Sequence, residues 1–186
     1  MHNIVFINGT NGSGKSTLAR AIIQDCGGVE AVYELRKKVN ITRCKNGVCI
    51  LGAYTTACDG LDTFANWDDI QYAIEQLNAW GVEHILGEGV INYAFGKYLT
   101  LNEMYKGNLH YINLSTPVKT CIEQVKKRRQ EAGNDKEFNP KNLYEKDKGM
   151  YGLYINLLIN GLEHAERLSF DEAHTYIKKQ FELEEI

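Results

Sequence analysis

Residues 4–19 read IVFINGTNGSGKSTLA, an apolar run that gives way to a loop holding three glycines and one lysine. Gly9, Gly14, Lys15 and Ser16 fit the spacing G-x-x-x-x-G-K-[ST] of a phosphate-binding loop. Ile4 to Ile7 suits a buried parallel strand. Ser16 to Ile23 has helical spacing, with Leu18, Ala19, Ile22 and Ile23 on one side. A strand before the loop and a helix after it are the context this motif requires. Glycines let the backbone curl until its N–H groups converge on an anion. The helix N-terminus adds unpaired donors and the positive end of its dipole. Gly9, Thr10, Asn11, Gly12, Ser13, Gly14, Lys15, Ser16 and Thr17 are therefore expected to cradle the phosphates of a nucleoside triphosphate, ATP by default. Lys15 would reach the β- and γ-phosphates, and the Ser16 hydroxyl would ligate Mg²⁺.

Composition is that of an ordinary globular enzyme. The 186 residues suit one domain, 1–186, with a sizeable core, at 44% hydrophobic and 24% charged. No apolar run approaches membrane-spanning length. The first strand begins so early that no signal peptide is expected before it. Cysteines 26, 44, 49, 58 and 121 form no C-x-x-C pair and no zinc spacing, which predicts reduced thiols and a cytoplasmic location. The net charge of −3 argues against a molecule that is basic all over, while leaving room for a local basic patch.

Strand and helix patterns alternate along the chain. Strands are expected at 4–7, 29–35, 47–54, 83–89 and 109–115. Helices are expected from 16, over 66–81, near 92–104, over 116–133 and 151–167, and from Ser169 or Asp171 onward. Asn66 or Asp68 is placed to cap the second helix, and Gly81 and Gly133 to end theirs. Residues 134–148 read as a polar loop. The pattern predicts an α/β three-layer sandwich: a parallel sheet of about five strands, helices on both faces, and the site at the strand C-terminal ends.

The remaining motifs choose among nucleotide-binding proteins. N-K-x-D, which reads guanine in switches, is absent from the sequence, and so is the apolar run followed by Asp-Glu that marks many motors. Instead GEG, 87–89, follows the fourth strand, and Glu88 there is a candidate base. The loop LGAYTTACDGLDTF, 51–64, carries Asp59 and Asp62, each placed to take a proton from an acceptor hydroxyl or to help position Mg²⁺. Asp59 and Asp62 also suit a turn or a helix cap. VKKRRQEAGNDKEFNPKNLYEKDKG, 125–149, places Arg128 and Arg129 at a helix end before a polar stretch. It resembles the LID of nucleoside monophosphate kinases, with a LID-like segment at about 126–149. Guanidinium groups there would stabilise charge on the transferred phosphoryl group, and closure would exclude water.

The order of these motifs over residues 4–165 resembles the phage 5-hydroxymethyluracil DNA kinases. Tyr54, Cys58, Gly60 and Asp62 fit that family's middle motif, whereas Ala53 and Asp59 depart from it. The resemblance implies ATP-dependent phosphorylation of the hydroxymethyl group of 5-hydroxymethyluracil in DNA, with the base flipped out or the strand taken single. Tyr93, Phe95 and Tyr98 then stand either as stacking rings or as core. Lys97, Lys106, Lys119, Lys126 and Lys127 are candidate phosphate contacts. Two alternatives stay open: a kinase for a free nucleoside monophosphate or another small hydroxyl compound, and a non-kinase NTP switch.

Overall fold

Strand β1, Asn3–Asn8, is the centre of the molecule, and Ile4 to Ile7 are fully buried in it. In this computed structural model residues 3–55, 60–89, 95–134 and 137–183 are described, with Asp62 described for its backbone alone. Helix α1 (Lys15–Asp25) leads into an antiparallel hairpin of β2 (Val29–Arg36) and β3 (Val39–Cys44), which continues into β4 (Cys49–Leu51). A 3-10 turn at Leu61–Thr63 precedes α2 (Trp67–Ala79), then come β5 (His84–Glu88), α3 (Phe95–Met104) and β6 (Leu109–Leu114). Helices α4 (Val118–Glu131) and α5 (Lys141–Ile159), strand β7 (His164–Leu168) and helix α6 (Phe170–Gln180) complete the order.

The seven strands form one sheet in the order β2-β3-β4-β5-β1-β6-β7. The run β4-β5-β1-β6-β7 is parallel throughout, so the expected parallel core of five strands is present. Its membership differs from the sequence reading. The 29–35 strand belongs to the antiparallel extension, and β3 and β7 are additional. Alternate residues of β1 face opposite sides: Ile4 and Phe6 pack with α2, α3 and α5, and Val5 and Ile7 with α1 and α6. Each face is thus covered by helices, as a parallel sheet requires.

The caps largely follow the sequence. Asn66 accepts from the Asp69 amide at 3.1 Å, and Ser169 forms a reciprocal capping box with Glu172. The third strand is shorter than expected, Cys49–Leu51 in place of 47–54. The third helix begins at Phe95, with 92–94 outside the described residues. The C-terminal third needs correction. The helix expected over 151–167 runs over Lys141–Ile159, so residues 141–148 are helical and not loop. It stops at Asn160-Gly161, with Gly161 at φ 85. Residues 164–168 pair with β6, because an open strand edge there satisfies their backbone groups better than a further helical turn. Among the described residues no helix is long and apolar enough to cross a membrane.

His84 and His164 open β5 and β7, and His110 is the second residue of β6, all at the end of the sheet remote from the phosphate loop. The His110 ring stacks on His164 at 4.5 Å, and its Nδ1 lies 2.8 Å from the Tyr176 hydroxyl. Burial, reinforced by His164, pushes His110 down to about 4. A histidine depressed in the fold binds its proton first in the unfolded chain, so stability is full above the unfolded value near 6.5 and falls as pH drops toward the folded value. Urea unfolding should show about 2 kcal/mol lost to this group between pH 7.5 and pH 5. His110→Asn should flatten that part of the profile, and an equal acid sensitivity in the variant would assign the loss elsewhere.

Candidate active site

β1 delivers the phosphate loop to the C-terminal edge of the sheet. Gly9, Gly12 and Gly14 hold φ of 156, 84 and 99, a backbone path that side chains resist. At Gly12 the constraint is also one of space, since a Cβ would lie 2.5 Å from the Cys121 carbonyl oxygen. Helix α4 therefore rests directly on the loop. Lys15 is buried, and its ammonium donates to the carbonyls of Gly9 at 2.9 Å and Thr10 at 3.1 Å. A cation folded under a curled backbone is a cradle for an anion. The Ser13 hydroxyl inside it is buried with no hydrogen-bond partner among the described residues. A donor buried without a partner fits an oxygen-rich ligand at that point.

The carboxylate comes from the neighbouring strand. β1 pairs with β5 so that Ile7 lies beside Glu88. Glu88, 3% exposed, accepts from the Ser16 hydroxyl at 2.9 Å. Lys15, Ser16 and Glu88 are thereby gathered at one point. A serine hydroxyl beside a carboxylate is a pair of hard oxygen donors, which suits Mg²⁺ held jointly with phosphate oxygens. Gly60 closes over the same group: a Cβ there would lie 2.3 Å from Glu88 Oε1 and 2.4 Å from its backbone oxygen. Gly87 has a different reason, because its Cβ would meet the Phe6 ring at 2.9 Å. That glycine serves strand packing.

The other expected residues are placed less centrally. Asp59 lies outside the described residues, as do Cys58 and Tyr93. Asp62 sits in the 3-10 turn that follows Gly60, with only its backbone described. Arg128 and Arg129 occupy the last turn of α4, and Arg128 is exposed. Arg129 donates to Asn134 Oδ1 at 3.1 Å and lies 5.7 Å from the Phe138 ring centroid, contacts within the 126–149 segment itself. Tyr98 is core: it is 1% exposed, its ring meets Phe6, Trp67 and Tyr111 edge-on, and burial pushes its hydroxyl pKa up. Phe95 is partly buried against the same cluster.

Several supporting residues escape a motif scan. The Thr116 hydroxyl donates to the Ser13 carbonyl at 2.8 Å and pins the loop to the end of β6. The Thr10 hydroxyl donates to the Leu143 carbonyl at 3.3 Å and ties the loop to the first turn of α5. Cys121 is held above its usual range by burial first and then by the Asp147 charge, with Lys15 opposing. Thr116 was within reach of the rule that sites gather at strand C-terminal ends, since it follows the strand next to β1. The Leu143 contact needed the earlier start of α5.

Gly60→Ala tests the closure over Glu88. The added methyl displaces the carboxylate or the turn, so turnover should fall at least tenfold, with a stability loss of about 1–3 kcal/mol typical of overpacking. Wild-type turnover in a folded variant would show that Glu88 tolerates displacement.

No protein-family model matches the chain. Three phage proteins named 5-hmdU DNA kinase do. The protein of Pseudomonas phage PaMx11 is 32% identical over 151 residues, which is 78% of this chain and 79% of that protein. The protein of Pseudomonas phage M6 is 29% identical over 66% of this chain and 70% of its own length. In Bacillus phage SP10 the match is 31% identical over 69% of this chain but spans 21% of the longer phage protein. With its phosphate loop, its Ser16–Glu88 pair and this breadth of identity, the chain belongs to the family of phage 5-hmdU DNA kinases.

Proposed function

We propose that this protein transfers the γ-phosphoryl group of ATP to the hydroxymethyl oxygen of 5-hydroxymethyluracil in DNA. The observation that carries the reading is the meeting of Lys15, Ser16 and Glu88 at the end of β1 and β5, in a chain of this family. The acceptor oxygen attacks Pγ, the bond from Pγ to the β,γ-bridging oxygen breaks, ADP leaves, and the hydroxyl proton passes to a carboxylate. Lys15 neutralises charge on the β- and γ-phosphates, and backbone amides of residues 9–17 hold the rest of the triphosphate. Ser16 and Glu88 would hold Mg²⁺, which would supply charge neutralisation to the phosphates. Because Glu88 is engaged with Ser16, we assign proton abstraction first to Asp62 and then to Asp59, on the loop that leads to the acceptor side. Arg128 and Arg129 supply guanidinium groups to the equatorial oxygens when the 126–149 segment closes.

A free nucleoside monophosphate is the second acceptor reading, favoured by the net charge of −3, which a small pocket tolerates better than a DNA groove does. ATP labelled in its γ-phosphate separates the two. Label should appear in DNA containing 5-hydroxymethyluracil and not in matched thymine DNA or free nucleoside monophosphates. Label in a free nucleotide alone would overturn the DNA assignment.

Lys15→Ala should abolish transfer with the fold intact, and full activity in that variant would remove the loop from the mechanism. Asp62→Asn should lower kcat by about 100-fold or more with ATP affinity unchanged. Arg129→Ala should lower kcat much more than ATP affinity, because its partner charge develops in the transition state. A normal kcat in either variant would discharge that residue from its role.

A further inference from the structure

Of the rings expected to stack on bases, Tyr98 is core and Phe95 packs against the same cluster, while Tyr93 lies outside the described residues. Exposed aromatic rings near the phosphate loop lie on α5; Tyr33 and Trp80 are also exposed, and their rings meet edge-on away from it. Tyr144 and Tyr151 are 47% and 43% exposed, values unusual beside the buried Tyr98 and Tyr111. Their spacing of seven puts them on one side of the helix, about 10 Å apart along its axis. Lys148, also exposed, falls between them on that side. Arg167, from the C-terminal half of β7, lies 4.8 Å above the Tyr151 ring, and Tyr154 meets the same ring at 6.1 Å. The strip starts one residue from Leu143, whose carbonyl is bonded to Thr10 of the phosphate loop. It therefore runs outward from the site.

Charge is distributed to match. Residues 117–149 hold nine Lys and Arg against six Asp and Glu, a net of +3, in a chain whose total is −3. Two of the acids, Glu131 and Glu145, sit in exposed pairs with Lys127 and Lys141 at 4.0 and 3.9 Å. Asp147, also on α5, is near enough to Cys121 to raise its thiol pKa. Exposed rings interleaved with cations make a track for unstacked bases and their phosphates, whereas duplex DNA offers no free base faces.

We infer that Tyr144, Lys148, Tyr151 and Arg167 form a binding surface for a single-stranded stretch of DNA beside the acceptor base. This rests on the DNA reading of the function and specifies the strand state and the place of contact.

The test measures phosphorylation of single-stranded and duplex oligonucleotides carrying 5-hydroxymethyluracil. Tyr144→Ala and Tyr151→Ala should each raise KM for the single-stranded oligonucleotide about 5- to 150-fold, the span of one base–aromatic stack. ATP affinity and kcat should stay within twofold. Tyr144→Phe and Tyr151→Phe keep the ring and should behave as wild type. Lys148→Gln should lower the slope of log affinity against log salt by about 0.7, one phosphate contact on a single strand. If wild-type protein labels hydroxymethylated DNA but the alanine variants keep its KM, the surface is wrong and the function stands. If wild-type protein prefers duplex over single-stranded DNA, the strand assignment is wrong. If wild-type protein labels no DNA at all, the acceptor reading falls, and the surface falls with it.

Discussion

The hydrogen bond from Ser16 to Glu88 depends on one register. β1 and β5 are adjacent and parallel, and Ile7 lies opposite Glu88. A slip of one residue would turn Glu88 to the other face of the sheet and leave Ser16 facing strand backbone. That register is held by burial on both sides: Ile4 and Phe6 toward α2, α3 and α5, Val5 and Ile7 toward α1 and α6. The chemistry at the edge thus draws its precision from a core that has no direct part in it. Gly60 and Gly87 belong to the same constraint. One lets the turn at Leu61–Thr63 start against the Glu88 carboxylate, and the other lets β5 lie against the Phe6 ring.

The phosphate loop is also a junction between layers. Thr116 fixes it to the end of β6, Gly12 seats α4 upon it, and Thr10 joins it to α5. The two helices whose facing ends make up much of the 126–149 segment are therefore both anchored at the loop. The proposed closure of that segment would have a short path to the phosphate loop through α4 and α5. Arg129, in the last turn of α4, contacts Asn134 and Phe138 beyond the helix end. Under the proposed mechanism, closure and charge stabilisation would arrive together.

The sequence made the phosphate loop, the central strands and the place of Glu88 legible, because each is local: a fixed spacing, an apolar run, a polar residue at its end. What it hid was set by distant partners. HAERL, 164–168, is built from good helix formers, and only the free edge of β6 makes it a strand. VNITRC, 39–44, is β-branched and alternates as a strand does, yet its role shows only through antiparallel pairing on both sides. The stop at Asn160-Gly161 was a readable signal that the long helix ended before residue 164. Tyr98 shows the opposite limit. A tyrosine near a functional loop reads equally as stacking surface and as core, and burial alone decides between them.

On the proposed DNA reading, an acidic protein needs its charge arranged rather than summed. At physiological salt a charge is felt over about 8 Å, so the −6 borne by the remainder of the chain is largely screened from a ligand lying along 117–149. Within that range the ligand meets the +3 of the segment and the positive end of α1 at the phosphate loop. The same distribution disfavours random capture of duplex DNA across the rest of the surface, where a strand would meet net negative charge. Affinity is then carried by a few contacts, and stacking matters more than it does for a broadly basic protein. Selectivity follows from this balance. On the proposed DNA reading, a chain that holds its substrate weakly by the phosphates is left to recognise what its rings and its acceptor pocket can read in an exposed base.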